Sequence, residues 1–198
     1  MAVIARRSVL AAGLAAAAAT LATAMLLRKP SGPEVARLAP DASAVRLQGM
    51  AALRPVDPPR ALPAISFLDD AGASRSLRDY AGKTVLLNLW ATWCAPCVAE
   101  MPALAALARD GAAQDIVVLP LSSDAGGAEA VRKFFAAHGI TGLPVLLDPK
   151  GAAGEALGIR GLPTTLLIDA QGRERARLEG AADWAAPDAA AKLLALAR

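Results

Sequence analysis

Apolar positions along the chain alternate between short continuous runs and longer stripes at helical spacing. Residues 84–89 form an almost unbroken apolar run of strand length, and residues 98–109 carry Ala, Leu and Met at the spacing of a helix. Further on, 115–121 predicts a second central strand, 128–138 a helix, 144–147 a short strand and 151–157 another helix. Residues 164–169 and 173–178, with Ala170-Gln171-Gly172 between them, predict a hairpin, and 188–197 a closing helix. Upstream, 65–68 and 76–77 flank the Asp and Gly residues of 69–74 and predict an earlier hairpin. Strands alternating with helices, then a hairpin and a helix, specify an α/β sheet with parallel and antiparallel parts. About 140 residues are left for it, the size of one domain, and no internal repeat is visible.

The first 30 residues follow a different pattern. Arg6 and Arg7 precede a charge-free stretch, 8–27, that Arg28 and Lys29 close. Roughly 20 such residues suffice to span a bilayer core, and a stripe without a charged face does not suit a surface helix of a globular domain. The expectation is a signal-anchor or transmembrane segment over 1–30, with Ala22-Thr23-Ala24 leaving signal-peptide cleavage as the alternative. Residues 31–61 hold prolines at 33, 40, 55, 58 and 59 and no aromatic residue, which predicts an extended or disordered linker with a short helix around 42–53. The domain proper is expected over 62–198.

Composition removes several function classes. The net charge is +3 and the basic residues are scattered or lie in the first segments, so the basic stripe or aromatic-lined groove of a nucleic-acid binder is absent. His138 is the only histidine and is expected as a solvated residue near a helix end. There are two cysteines, Cys94 and Cys97, placed where the first apolar strand hands over to a helix. A helix N-terminus stabilises an anion, and the anion a cysteine offers is its thiolate. Cys94 is therefore the expected nucleophile, and Cys97 lies one turn further, within reach of the first sulfur. A loop this short contributes almost nothing as a structural cross-link, and zinc needs about four ligands. A redox pair, with the cysteines themselves as the redox group and no cofactor or resident metal, is the expected chemistry; a copper(I) site is the alternative.

Trp93-Cys94-Ala95-Pro96-Cys97 resembles the WCxPC site of the thioredoxin superfamily, and Glu100-Met101-Pro102 is similar to the extension in its TlpA/ResA/CcmG branch. A second motif, Gly158-Ile159-Arg160-Gly161-Leu162-Pro163-Thr164-Thr165, resembles the loop whose proline is cis in that superfamily. The resemblance implies a thioredoxin-like fold with an extra N-terminal hairpin and a central strand-helix insertion. It also implies a thiol:disulfide oxidoreductase, with Leu162, Pro163 and Thr164 as a substrate-binding loop in which the backbone of Leu162 pairs with an extended partner.

Several side chains carry further expectations. Of Trp90 and Trp93, one packs under the active-site loop and the other, Trp93, borders the exposed sulfur and is expected to bind substrate by touching a docking peptide. Glu100, one turn after Cys97, is either a solvated helix residue or, as the resemblance favours, a proton acceptor for Cys97; Asn88, on the preceding strand, cannot exchange a proton. Trp184 is expected to pack. Pro102 is expected to kink its helix.

Ala95-Pro96 adds no cation beside the thiolate, which points to a reductant rather than an oxidant. The resemblance then implies a domain on the periplasmic side of a bacterial inner membrane, recharged by a membrane electron donor of the DsbD/CcdA type. The implied partners are disulfide-bearing copper-centre assembly proteins, either a copper chaperone or the copper-binding subunit of cytochrome oxidase. Apocytochrome c in cytochrome c maturation is the alternative substrate, and a copper(I)-binding chaperone without redox turnover the alternative of another class.

Overall fold

A computed structural model describes residues 45–198, all within the unit Pro40–Arg198. The anchor expected over 1–30 and the first part of the linker, 31–44, lie outside the described residues. Among the described residues no helix is long and apolar enough to cross a membrane.

Eight strands form one sheet: β1 (Arg54–Ala61), β2 (Ser66–Asp69), β3 (Ser74–Ser76), β4 (Thr84–Trp90), β5 (Ile116–Ser122), β6 (Leu146–Leu147), β7 (Thr164–Ile168) and β8 (Arg173–Glu179). Their order across the sheet is β1-β8-β7-β4-β5-β6-β2-β3. β4, β5 and β6 run parallel, and the other pairings are antiparallel. The apolar run of β4 is explained by this position, because a central strand is covered on both faces. Leu86 and Trp90 point to one layer, with helices α1 (Ala95–Gly111), α2 (Gly127–Ala137) and α4 (Ala189–Ala197). Val85, Leu87 and Leu89 point to the other, with the short α3 (Ala152–Ala156), Phe67 and Leu166.

The described elements follow the sequence pattern within a few residues, with two differences. α1 begins at Ala95, three positions earlier than the apolar stripe predicts, because Cys94 caps it and Pro96 suits its first turn. It continues through Pro102 to Gly111 as one helix. The second difference lies at 54–61, expected as linker: this stretch is extended, as its prolines dictate, but it pairs with β8 as the outer strand of the sheet. Proline is tolerated there because an edge strand needs only half of its backbone donors. The register shifts between Pro55 and Arg60, around the Asp57–Pro58 cis peptide.

Candidate active site

β4 delivers the chain to the site. It ends at Trp90, whose side chain is fully buried and stacks on Phe135 with ring centroids 5.8 Å apart. Trp93, three residues on, is 71% exposed, so the two tryptophans of the motif have opposite surroundings. Cys94 and Cys97 are joined, with Sγ–Sγ 2.08 Å and Cα–Cα 5.2 Å. Cys94 Sγ also accepts the backbone N–H of Cys97 at 3.3 Å, so the sulfur itself caps the helix. Such a donor favours the charged form of the sulfur once the disulfide opens. Cys97 is completely buried and Cys94 nearly so, at 7% exposure, which leaves Cys94 as the sulfur nearer to solvent. Ala95 and Pro96 form the first turn of α1 between them.

Glu100 is not a solvated helix residue. It has no exposed surface, and its carboxylate is held at three points. Oε1 accepts from Asn88 Nδ2 at 2.8 Å, and Oε2 accepts from the Ala182 backbone N–H and from Trp184 Nε1, both at 2.9 Å. Burial pushes its pKa up to about 7, while the three donors work in the opposite direction. Asn88 also donates to Thr165 Oγ1 at 2.9 Å, and its own Oδ1 has no partner among the described residues. Asn88 and Trp184 are therefore part of the environment of Glu100, a role that spacing did not assign to either. A lone amide in an otherwise apolar strand was the available signal for Asn88; for Trp184 there was none.

The second motif meets the first through sheet register. Thr164 of β7 lies opposite Leu89 of β4, so the turn before β7 sits at the sheet end from which the cysteine loop departs. The Leu162–Pro163 bond is cis. Pro163 O accepts from Gly180 N at 2.8 Å, and Thr164 Oγ1 donates to Gly161 O at 2.7 Å. Leu162 is half-buried and makes no backbone hydrogen bond among the described residues.

Two residues near the site have no counterpart in the sequence reading. Asp124, in the turn after β5, accepts from the backbone N–H and hydroxyl of Thr92, and Ser122 donates to the same carboxylate. Buried Glu174 of β8 binds Arg60 and Arg177, and Arg177 also donates to Leu157 O at 2.9 Å in the segment leading to the cis-proline turn. His138 is exposed at the C-terminus of α2, its ring stacked on Phe134 at 4.1 Å. No group of three or more metal-ligating side chains occurs among the described residues.

Fold and cysteine pair together define a thioredoxin-like fold with a Cys-x-x-Cys disulfide at the N-terminus of α1. Residues 58–193 match the Redoxin family model, and the chain belongs to the Redoxin family. It is 37% identical over 111 residues to the thioredoxin-like protein YneN of Bacillus subtilis, covering 56% of this chain and 64% of that one. It is 36% identical over 112 residues to the thiol-disulfide oxidoreductase ResA of Geobacillus thermodenitrificans, covering 57% and 63% respectively. The match thus spans a little under two thirds of the length of these relatives. Among solved structures, a thiol:disulfide interchange protein of the thioredoxin family from Chlorobium tepidum superposes with a TM-score of 0.57 at 26% identity, covering 71% of this chain and 99% of that one.

Proposed function

We propose that this protein is a thiol:disulfide oxidoreductase that reduces cysteine pairs in partner proteins. The observation that carries this reading is the pairing of a helix-capping Cys94, beside an exposed Trp93, with a buried Cys97 that has a buried carboxylate one turn away on the same helix. In the reduced enzyme the Cys94 thiolate attacks one sulfur of a partner disulfide, and the other partner sulfur leaves as a thiolate. Cys97, deprotonated, then attacks Cys94 Sγ; the partner departs fully reduced and the enzyme holds the Cys94–Cys97 disulfide, two electrons having passed to the partner. Glu100 accepts the Cys97 proton. Its pKa of about 7 suits a group that must both take and return a proton near neutrality. Leu162, Pro163 and Thr164 bind the partner as an extended segment against the unpaired backbone of Leu162, with Trp93 at its side.

The finer reading is a reductase of copper-centre assembly proteins. It is tethered to a bacterial inner membrane by its first 30 residues, faces the periplasm, and is recharged by a DsbD/CcdA-type donor. Its support is the motif resemblance together with the hydrophobic stretch 8–27. A Cys97→Ser variant expressed in its own cell envelope stalls at the mixed disulfide, and identification of the protein on Cys94 tests the reading. A copper chaperone or oxidase subunit is the expected catch; apocytochrome c in its place reassigns the substrate to cytochrome c maturation. An empty trap on a reactive Cys94, together with stoichiometric copper(I) binding, replaces the enzyme by a copper carrier. A reduction potential above about −180 mV reverses the direction of electron flow.

A further inference from the structure

The loop that presents Cys94, residues 91–94, is suspended from a carboxylate in the turn that follows the neighbouring strand β5. Asp124 is 4% exposed. Its Oδ2 accepts the Thr92 N–H at 2.9 Å and the Ser122 hydroxyl at 2.8 Å, and its Oδ1 accepts the Thr92 hydroxyl at 2.6 Å. Ser122 Oγ in turn accepts the Asp124 N–H at 3.0 Å, and Ser123 N–H donates to Trp90 O at 3.0 Å. Every donor to this carboxylate is neutral. Among the described residues no Lys, Arg or His pairs with it, and the stretch 91–97 carries no charged side chain of its own. The other buried carboxylate near the cysteines, Glu100, is engaged separately by Asn88, Ala182 and Trp184.

Two opposed fields therefore act on Cys94. The N-terminus of α1 and the Cys97 N–H favour its thiolate. When ionised, the buried Asp124 carboxylate, held against Thr92 two residues upstream of Cys94, disfavours it. We infer that Asp124 is a positioning residue for Cys94 that fixes the Thr92–Cys94 loop and, through its charge, restrains the thiolate and keeps the cysteine pair reducing. This rests on the oxidoreductase reading for its meaning in turnover, though not for its measurement. Through Thr92 the carboxylate lies at most about 14 Å from Cys94 Sγ, and at an effective dielectric of about 20 a unit charge at that separation moves the thiol pKa by about one unit.

The test is Asp124→Asn in the full chain, because the amide oxygen can still accept the Thr92 N–H and the Ser122 hydroxyl while the charge is removed and the amide nitrogen faces the Thr92 hydroxyl. Thiolate absorbance and alkylation rate against pH, with reduced protein, should show the Cys94 pKa falling by about one unit. The reduction potential should rise correspondingly, since stabilising the reduced form makes a pair more oxidising; a tenfold effect is about 30 mV. Asp124→Ser carries the same expectation should the asparagine variant not fold. Thr92→Val retains the charge but loses one loop contact, and is expected to leave the Cys94 pKa unlowered. An unchanged pKa and potential in a folded Asp124 variant, or an equal fall in Thr92→Val, overturns the inference. Failure of the parent chain to reduce any protein disulfide overturns the oxidoreductase reading instead, and leaves the pKa comparison to decide the role of Asp124.

Discussion

Replacing Glu100 by Gln should change how stability depends on pH. The unfolded carboxyl titrates near its model value of 4.5 and the folded one near 7. Between these values the folded protein holds a proton that the unfolded chain has released, so the folded state binds more protons and stability falls as pH rises. The contribution is fully present below pH 4.5 and is lost as pH passes 7. A shift of this size corresponds to about 3 kcal/mol. Gln does not titrate, and its oxygen can still accept from Ala182 and Trp184. Its amide would face Asn88 Nδ2, but rotation of the Asn88 amide brings the unpartnered Oδ1 into that place. The assay is urea unfolding of oxidised protein, in which neither cysteine titrates, followed by tryptophan fluorescence at pH 4.5 and pH 8. The stability of parent minus Glu100→Gln should fall by about 3 kcal/mol between the two conditions. A difference that does not change with pH refutes the reasoning, because it means that the three donors hold Glu100 at an ordinary carboxylate pKa despite its burial.

Three further outcomes follow from named contacts. Trp184→Phe removes one of the two donors to Glu100 Oε2; it should destabilise the protein by about 2 kcal/mol at pH 8 and by less at pH 4.5, where the carboxyl is protonated, as read by the same unfolding curves. Arg177→Met leaves fully buried Glu174 with only the half-exposed Arg60 as cation, and should cost about 3 kcal/mol in a denaturant midpoint comparison. Trp93→Ala, at a side chain 71% exposed, should change stability by less than about 0.5 kcal/mol, while raising KM for a protein disulfide with little change in kcat.

The parts legible in the sequence are those written in local pattern. β4 could be read from its apolar run, α2 from its stripe, and the cysteine pair from its position between a strand and a helix. The edge strand β1 was obscured because its prolines, which argue against a central strand, are compatible with an outer one, and only pairing with β8 distinguishes a strand from an extended tether. Glu100 was ambiguous for a related reason: helical spacing fixes its relation to Cys97, but burial is decided by what packs over it. Asp124 carried no signal. It follows two serines in what reads as a polar turn, and its partner Thr92 is identified only by the parallel pairing of β4 with β5, which sets Trp90 opposite Ser122.

The two halves of the site differ in contact order. Cys94 and Cys97 are 3 positions apart, so their disulfide needs only local loop closure. Two of the three donors that receive Glu100 come from 82 and 84 positions further along, and closing loops of that length costs more entropy than closing the local pair, which favours their later formation. The chain is thus able to oxidise before its proton acceptor is housed. Reactive sulfur alone is not evidence of a finished enzyme: a chain ending at residue 180 keeps both cysteines but has neither Ala182 nor Trp184 to receive the carboxylate. Thiol reactivity and resolution of a mixed disulfide should therefore be acquired at different stages of folding, the second only when the segment carrying Trp184 has docked.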